Sequence, residues 1–209
     1  MPNWIVFDAM GVIFEVGNDV DNLLIPYIQA RNPEASAKHI RSAYHRASLG
    51  QMTAQRFWQQ VMLSDAYPQI EREYLDTCLK LDPLFKDVAR KLSRTYSLAI
   101  LSNDVKEWSL YLRRRYGLDQ LCPKSIISGE VGHRKPSHTI YEILLDRLAA
   151  SPSECVFIDD KEVNLFAASK VGMIPVWYQR EPMLRDPEIT YTIRSFAELP
   201  GIMSEIFAR

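Results

Sequence analysis

Short apolar runs that each close on a polar residue constrain this chain more than any other feature. Trp4-Ile5-Val6-Phe7 ends at Asp8, Ser97-Leu98-Ala99-Ile100-Leu101 ends at Ser102, and Cys155-Val156-Phe157-Ile158 ends at Asp159-Asp160. Ser125-Ile126-Ile127-Ser128 is a weaker run between them, and Ile174-Pro175-Val176-Trp177-Tyr178 is the last. Apolar runs without polar alternation fit strands covered on both faces. Separated by amphipathic stretches, they predict an α/β fold with a doubly wound parallel sheet.

The stretches between the runs carry helix signals. Ile140, Leu144 and Leu148, with Tyr141 and Leu145 beside them, form one helical face. Asp82-Pro83 predicts an N-cap followed by proline at the first helical position. Asp104 to Glu107 resembles a capping box, opening a helix through about Tyr116 that Gly117 would stop. Ser151-Pro152-Ser153-Glu154 is a second capping box, just before the fourth strand. From Val16 to Leu81 no strand pattern occurs. Ala54, Phe57, Trp58, Val61 and Met62 keep amphipathic spacing, and further helices are expected at Val20–Ala30, Glu34–Leu49 and Gln69–Leu79. The interval reads as an all-helical insert over the carboxyl ends of the strands, where doubly wound sheets bind ligands. The expected partition is an α/β core of residues 1–15 and 82–209 with a small helical domain of residues 16–81.

Composition narrows the function classes. With 209 residues, 47% apolar and 24% charged, the chain has material for a sizeable core and lacks the signature of disorder. Twenty-five basic against 26 acidic residues give a net charge of −1, which is no footprint of a nucleic-acid binder. No apolar run approaches the roughly 20 residues of a membrane span. The opening carries no secretory signal pattern, its apolar start being broken by Asp8. Cys78, Cys122 and Cys155 form no CxxC pair, so a reduced, cytoplasmic setting is expected. The expected partner is a small molecule, with neither nucleic acid nor membrane, for a monomer or homodimer.

Parallel topology brings Asp8, Ser102-Asn103 and Asp159-Asp160 to one edge of the sheet. Carboxylates gathered there repel and raise one another's pKa unless a cation neutralises them. Ligation by oxygen alone, with few protein groups, fits Mg²⁺. Lys135 follows the third strand and can reach the same edge, offsetting the carboxylates and binding a phosphate. Each residue alone has an ordinary reading: Asp8 a turn or cap, Ser102 a cap, Asp159-Asp160 the cap of the next helix, Lys135 solvated surface. Taken in order, they favour a site.

That order resembles the haloacid dehalogenase (HAD) superfamily, most of whose members are phosphatases. The resemblance lies in Val6-Phe7-Asp8-Ala9-Met10-Gly11-Val12-Ile13, in Ile100-Leu101-Ser102-Asn103, in Ser128-Gly129-Glu130-Val131-Gly132-His133-Arg134-Lys135-Pro136, and in Val156-Phe157-Ile158-Asp159-Asp160-Lys161-Glu162-Val163-Asn164. It implies a Rossmann-like core of strand order 5-4-1-2-3, and the insert is similar to the family's helical C1 cap. Asp8 would be the nucleophile of an aspartyl-phosphate intermediate. Ser102, with Asn103 and nearby N–H groups, would hold phosphoryl oxygens, and Lys135 would stabilise charge on Asp8 and the phosphate. Asp8, Asp160 and the backbone carbonyl of Met10 would ligate Mg²⁺, with Asp159 assisting directly or through water.

Met10 departs from the pattern. Most family phosphatases place there an aspartate that protonates the leaving oxygen and then activates water, and a thioether does neither. The loss is worth about 10²–10⁴-fold for a leaving group that needs a proton. Three readings follow: a substrate with an activated leaving group, a proton shuttle from the insert with His39 and His45 as candidates, or slow turnover in a module that binds a phosphometabolite or a partner. Asp8-Ala9-Met10-Gly11 also resembles the first motif of 2-haloacid dehalogenases, which need no metal. Adjacent Asp159-Asp160 resembles the metal-dependent branch instead, and its carboxylates would repel an anionic haloacid. Phosphate chemistry therefore ranks first.

In the insert, Leu49-Gly50-Gln51-Met52-Thr53 reads as a turn ending in an N-cap, and the resemblance implies that such a cap loop reaches the site. Arg41, Arg46 and Arg56 could bind an anionic substrate, but are read by default as solvated helix faces, as is Arg113-Arg114-Arg115, and Phe57 and Trp58 are read as packing residues.

Overall fold

The computed structural model describes residues 4–180 and 189–207. Strands β1 (Trp4–Phe7), β2 (Ser97–Ser102), β3 (Lys124–Ile127), β4 (Cys155–Asp159), β5 (Ile174–Tyr178) and β6 (Tyr191–Ile193) form one parallel sheet in the order β3-β2-β1-β4-β5-β6. The expected order is present, and β6, which carried no readable apolar run, extends it beyond β5. Phe7 pairs with Ile100 on one side and Ile158 on the other. Asp8 therefore emerges at the centre of the sheet, between the ends of β2 and β4.

Helices α1 (Ile25–Gln29), α2 (Ala37–Ala47), α3 (Ala54–Gln60) and α4 (Gln69–Thr77) lie between β1 and β2. Then come α5 (Phe85–Leu92), α6 (Lys106–Tyr116), α7 (Leu118–Leu121), α8 (Ser128–Val131), α9 (His138–Leu148), α10 (Glu162–Val171) and α11 (Leu199–Phe207). Alternate strand residues feed two layers. Ile5, Phe7, Ile100 and Ile158 join one cluster with Phe85, Leu112 and Met203 from α5, α6 and α11. Val6, Ala99, Leu101 and Phe157 join the other with Ile140, Leu144 and Leu165 from α9 and α10. Both faces are thus covered, which is why the strands read as unbroken apolar runs.

A neck joins the helical insert to the sheet. The Glu15 N–H donates to the Lys80 carbonyl and the Asp82 N–H to the Ile13 carbonyl, each at 2.9 Å. A π-helical turn, Val20–Leu24, precedes α1, and the pitch changes at Ile25-Pro26, where proline has no N–H to give. Thr53 caps α3 by accepting the Arg56 N–H at 3.2 Å, as its sequence implied. Met62, expected on the apolar face of α3, lies past the helix end with a φ of 57° and is 65% exposed.

Three local expectations are corrected. Pro83 does not open a helix, because the Asp82 carboxylate accepts the Leu84 N–H at 2.8 Å and holds a turn, so that α5 starts at Phe85. No capping box forms at Asp104. Its Oδ1 accepts the adjacent Val105 N–H, its own N–H donates to Ser128 Oγ, and its carbonyl accepts the Gly129 N–H, tying it to the start of α8. Ser128 opens that short helix instead of closing the third strand. Gly117 stops α6 in the left-handed region at φ 67°, and the Ser151 N–H donates to Glu154 Oε2 at 2.8 Å, both as expected.

Candidate active site

Asp8 extends β1 by one rung, its N–H donating to the Ile158 carbonyl at 2.8 Å. Its Oδ1 lies 2.7 Å from Lys135 Nζ, and the same ammonium lies 2.7 Å from Asp159 Oδ2. The Lys135 side chain is 1% exposed, so the two carboxylates, rather than water, solvate it. Asn103 fixes the lysine from behind: its Oδ1 accepts the Lys135 N–H at 2.8 Å and its Nδ2 donates to the Lys135 carbonyl at 2.9 Å. Both ends of that amide are therefore spent on positioning.

Asp159 is similarly saturated. Asn164 Nδ2 reaches both its oxygens, at 3.1 and 3.0 Å, and the Lys161 N–H donates to Oδ1 at 2.8 Å. Asn164 is set in turn by its carbonyl, which accepts the Tyr141 hydroxyl at 2.8 Å. Asp160 is the opposite case. Its Oδ1 is buried and has no hydrogen-bond partner among the described residues. Its Oδ2 rests against the backbones of Gly11 and Gly17, where a Cβ on either residue would collide with it. Carboxylate oxygens of Asp8, Asp159 and Asp160 all lie within 4.8 Å of one another.

Burial is the largest influence on Asp8 and Asp160. It pushes Asp8 up to about 6, helped by Asp159 and opposed by Lys135. It pushes Asp160 up to about 7, helped by Asp8 and Asp159. Burial pulls Lys135 down, but Asp159 and Asp8 together outweigh it and hold the ammonium above its usual range. Lys135 touches Asp8 and Asp159 and Lys161 acts on Asp8 and Asp160 from the cavity wall, so two ammonium groups face three carboxylates, leaving an excess of negative charge that a cation would relieve. The donor set is all oxygen and includes an orphaned buried carboxylate oxygen, which fits a hard cation such as Mg²⁺.

The Asp8 carboxylate opens on a cavity of about 200 Å³ whose core wall includes Met10, Ser102, Asn103, Lys135 and Asn164. Ser102 is 1% exposed, at the end of β2. The insert supplies the facing wall with Asp19, Arg41, Tyr44 and His45. Arg41 is committed to Asp21, Nε to Oδ1 at 2.5 Å. The Tyr44 hydroxyl donates to the Asn103 carbonyl at 3.2 Å, and Arg134 Nη1 donates to Ser48 Oγ. The Gly50 turn packs on the Gly129 carbonyl, so this insert loop does reach the core motif. Arg56 bonds Gln59, and Arg113 and Arg115 pair with Asp119 and Asp76, none of them on the cavity.

Sequence reasoning missed Arg180 and Asp19. Arg180, just past β5, donates to the Gly11 carbonyl at 3.1 Å, to the Val12 carbonyl at 2.8 Å and to Asp82 Oδ2 at 2.8 Å. It pins the turn that follows Asp8, and no local pattern marks it. Asp19 had a local signal, a buried-looking acid between Gly17 and an apolar helix, but that pattern reads by default as a helix cap.

The haloacid dehalogenase-like hydrolase family matches the chain over residues 2–172. The chain belongs to that family. This HAD hydrolase is 24% identical to D-ribitol-5-phosphate phosphatase of Bacteroides thetaiotaomicron over 184 residues, 80% of this chain and 87% of that protein. Among solved structures it is similar to a HAD phosphatase from Thermococcus onnurineus, with a TM-score of 0.75 and 22% identity over 97% of this chain and 98% of that one. It is also similar to a 2-haloacid dehalogenase from Pseudomonas syringae pv. Tomato DC3000, with a TM-score of 0.69 and 17% identity over 98% and 99%. A third neighbour, the HAD family enzyme bt-2542 from B. thetaiotaomicron, was crystallised with magnesium and inorganic phosphate. Its TM-score is 0.70, with 18% identity over 88% of this chain and 97% of that one. Fold alone therefore spans both phosphatases and dehalogenases. No helix among the described residues is long and apolar enough to cross a membrane.

Proposed function

We propose that this HAD hydrolase is a magnesium-dependent phosphatase of a small phosphorylated metabolite, with Asp8 as nucleophile. One observation carries the reading: the buried, partnerless oxygen of Asp160 lies in the same carboxylate cluster as Asp8, whose other neighbour is Lys135. A dehalogenase binding an anionic haloacid would have no use for such an excess of carboxylate. The ribitol-phosphate phosphatase relative and the magnesium–phosphate complex of a structural neighbour point the same way.

In this reading Asp8 attacks phosphorus and forms an aspartyl-phosphate, which water then hydrolyses. Lys135 stays charged beside Asp8 and offsets the phosphoryl oxygens, while the Ser102 hydroxyl binds one of them. Asn103 serves substrate binding indirectly, through the lysine it clamps. Asp8, Asp160 and the Met10 carbonyl would hold Mg²⁺, and Asp159 acts mainly by orienting Lys135. Bound, the ion would neutralise charge on the transferring phosphoryl group. The insert acts as a cap, hinged at the Glu15–Lys80 neck, and the small cavity beneath it suits a small substrate rather than a macromolecule. The three cysteines, unpaired in the structure, are in keeping with a cytoplasmic site of action.

The test is a panel of an acyl phosphate, an aryl phosphate, an alkyl phosphate and 2-chloropropionate, each with Mg²⁺ or with chelator. Phosphate release that needs Mg²⁺ and vanishes in Asp8→Asn is the expected result. Halide release that survives chelation would instead establish dehalogenation.

A further inference from the structure

The phosphatase reading supplies a nucleophile, an amine and ligands for a cation, but Met10 leaves it without a group to move protons. The two histidines of the insert serve poorly. His39 Nε2 is bound to the Gln60 carbonyl at 2.8 Å and does not line the cavity. His45 lines it but is exposed at the mouth, where burial and Arg134 both push its pKa down.

Asp19 differs from both. It lines the cavity that Asp8 and Met10 line, and it is 8% exposed. It precedes the turn Val20–Leu24 without the bond to the turn's second or third N–H that a cap residue makes. Its carboxyl has no side-chain hydrogen bond or ion pair among the described residues, meeting main-chain N–H groups of Asp19 and Val20. The charged and titratable groups around it come from several elements: Lys161 before α10, Arg134 after α8, Tyr44 on α2, Tyr74 on α4 and Asp104 before α6.

We infer that Asp19 is the general acid and base of the reaction, taking over the proton transfers that Met10 cannot perform. The inference rests on the phosphatase reading above. In the first step an Asp8 oxygen bonds to phosphorus, the bond from phosphorus to the alcohol oxygen breaks, and the Asp19 proton passes to that oxygen. In the second step water attacks phosphorus, its proton passes to the Asp19 carboxylate, and the bond from phosphorus to Asp8 breaks. One water is consumed, one alcohol and one phosphate leave, and both carboxyl groups return to their starting state. Burial lifts Asp19 to about 6, against the pull of Lys161 and Arg134, which suits a group that must both give and take a proton near neutrality.

The experiment follows the Mg²⁺-loaded enzyme with 4-nitrophenyl phosphate, whose leaving group departs without a proton. In Asp19→Asn the first step persists and the second stalls. A burst of nitrophenolate should precede a steady state lowered about 10²–10³-fold, with phosphorylated Asp8 accumulating in the intact-mass spectrum. His45→Gln should not accumulate phosphorylated Asp8. Met10→Asp combined with Asp19→Asn should restore turnover, since an acid at position 10 does not repair a merely structural lesion at position 19. An unchanged steady state in Asp19→Asn, loss of burst and steady state together, or a double variant that stays dead would overturn the assignment. So would a burst in His45→Gln with none in Asp19→Asn. A wild-type protein that forms no phosphoenzyme and releases no phosphate sinks the phosphatase reading itself, and this inference with it.

Discussion

Trp58 and Trp108 donate their indole N–H groups to a single oxygen, Oε2 of Glu71, each at 2.8 Å. Trp58 lies on α3 of the insert, Trp108 on α6 beside the sheet, and Glu71 on α4, so one carboxylate links the two parts of the fold. Phe57, Tyr74 and Tyr44 pack around the pair with ring centroids 5.3 to 6.4 Å from one or other indole.

Replacing that carboxylate tests the linkage. Glu71→Leu leaves two indole donors without their acceptor and should lower the unfolding free energy by about 2–4 kcal/mol. Glu71→Gln keeps an acceptor and should cost about 1 kcal/mol or less. Urea denaturation followed by tryptophan fluorescence measures both. Equal losses in the two variants would show that the bonds contribute little.

Asn164 holds both oxygens of Asp159, which in turn holds Lys135. Asn164→Ala should therefore loosen the ammonium while leaving Asp8, Lys135 and Ser102 in place. A loss of roughly 10–100-fold in kcat is expected, in line with outer-shell positioning residues generally. Steady-state kinetics on the best substrate of the panel provide the check, and a change confined to KM would contradict this role.

Gly17 lacks a side chain where Asp160 Oδ2 rests, and its backbone is not in the left-handed region. Gly17→Ala should push the Asp160 carboxylate off its seat with little backbone strain. Affinity for Mg²⁺, read by calorimetry, should fall by about 10-fold or more. Unaltered affinity would mean that Asp160 is not a ligand.

Burial raises the Asp19 carboxyl from 3.8 to about 6. Over that window the folded chain keeps a proton that the unfolded chain has released. Stability is therefore lost as pH rises through it and levels off above about 6. The gap between the two values is worth about 3 kcal/mol. Asp19→Asn carries no such charge, so its stability relative to wild type should rise by up to that amount between about pH 4 and about pH 7. Urea titrations in chelator at several pH values decide the point. A constant difference would place the carboxyl in water.

Much of the fold was legible because burial on both faces writes itself into a strand as an uninterrupted apolar run. All five such runs became strands, whereas Tyr191-Thr192-Ile193 on the edge needed no such run and left no trace. That Asp8 and Asp160 share one edge followed from parallel topology, whereas the place of Lys135 beside them came from the family resemblance. Helix starts fared worse, because Asp82 and Asp104 are held by distant partners: Arg180 on the carboxylate of the first, and Ser128 on the main-chain N–H of the second. Long-range pairs of that kind have no sequence spacing to read. Asp19 was hidden for another reason. An acid before a helix has an ordinary explanation, and only the folded chain shows that this one lacks the cap bond and lines the cavity.

The paired backbone at Glu15–Lys80 and Ile13–Asp82 closes the insert at its base like a drawstring. Whatever lies between those anchor points leaves and rejoins the sheet at the same two places. Foreign helical segments with matching ends should therefore be graftable there without shifting the strand register, changing which molecules are admitted while the catalytic rim beneath stays as it is.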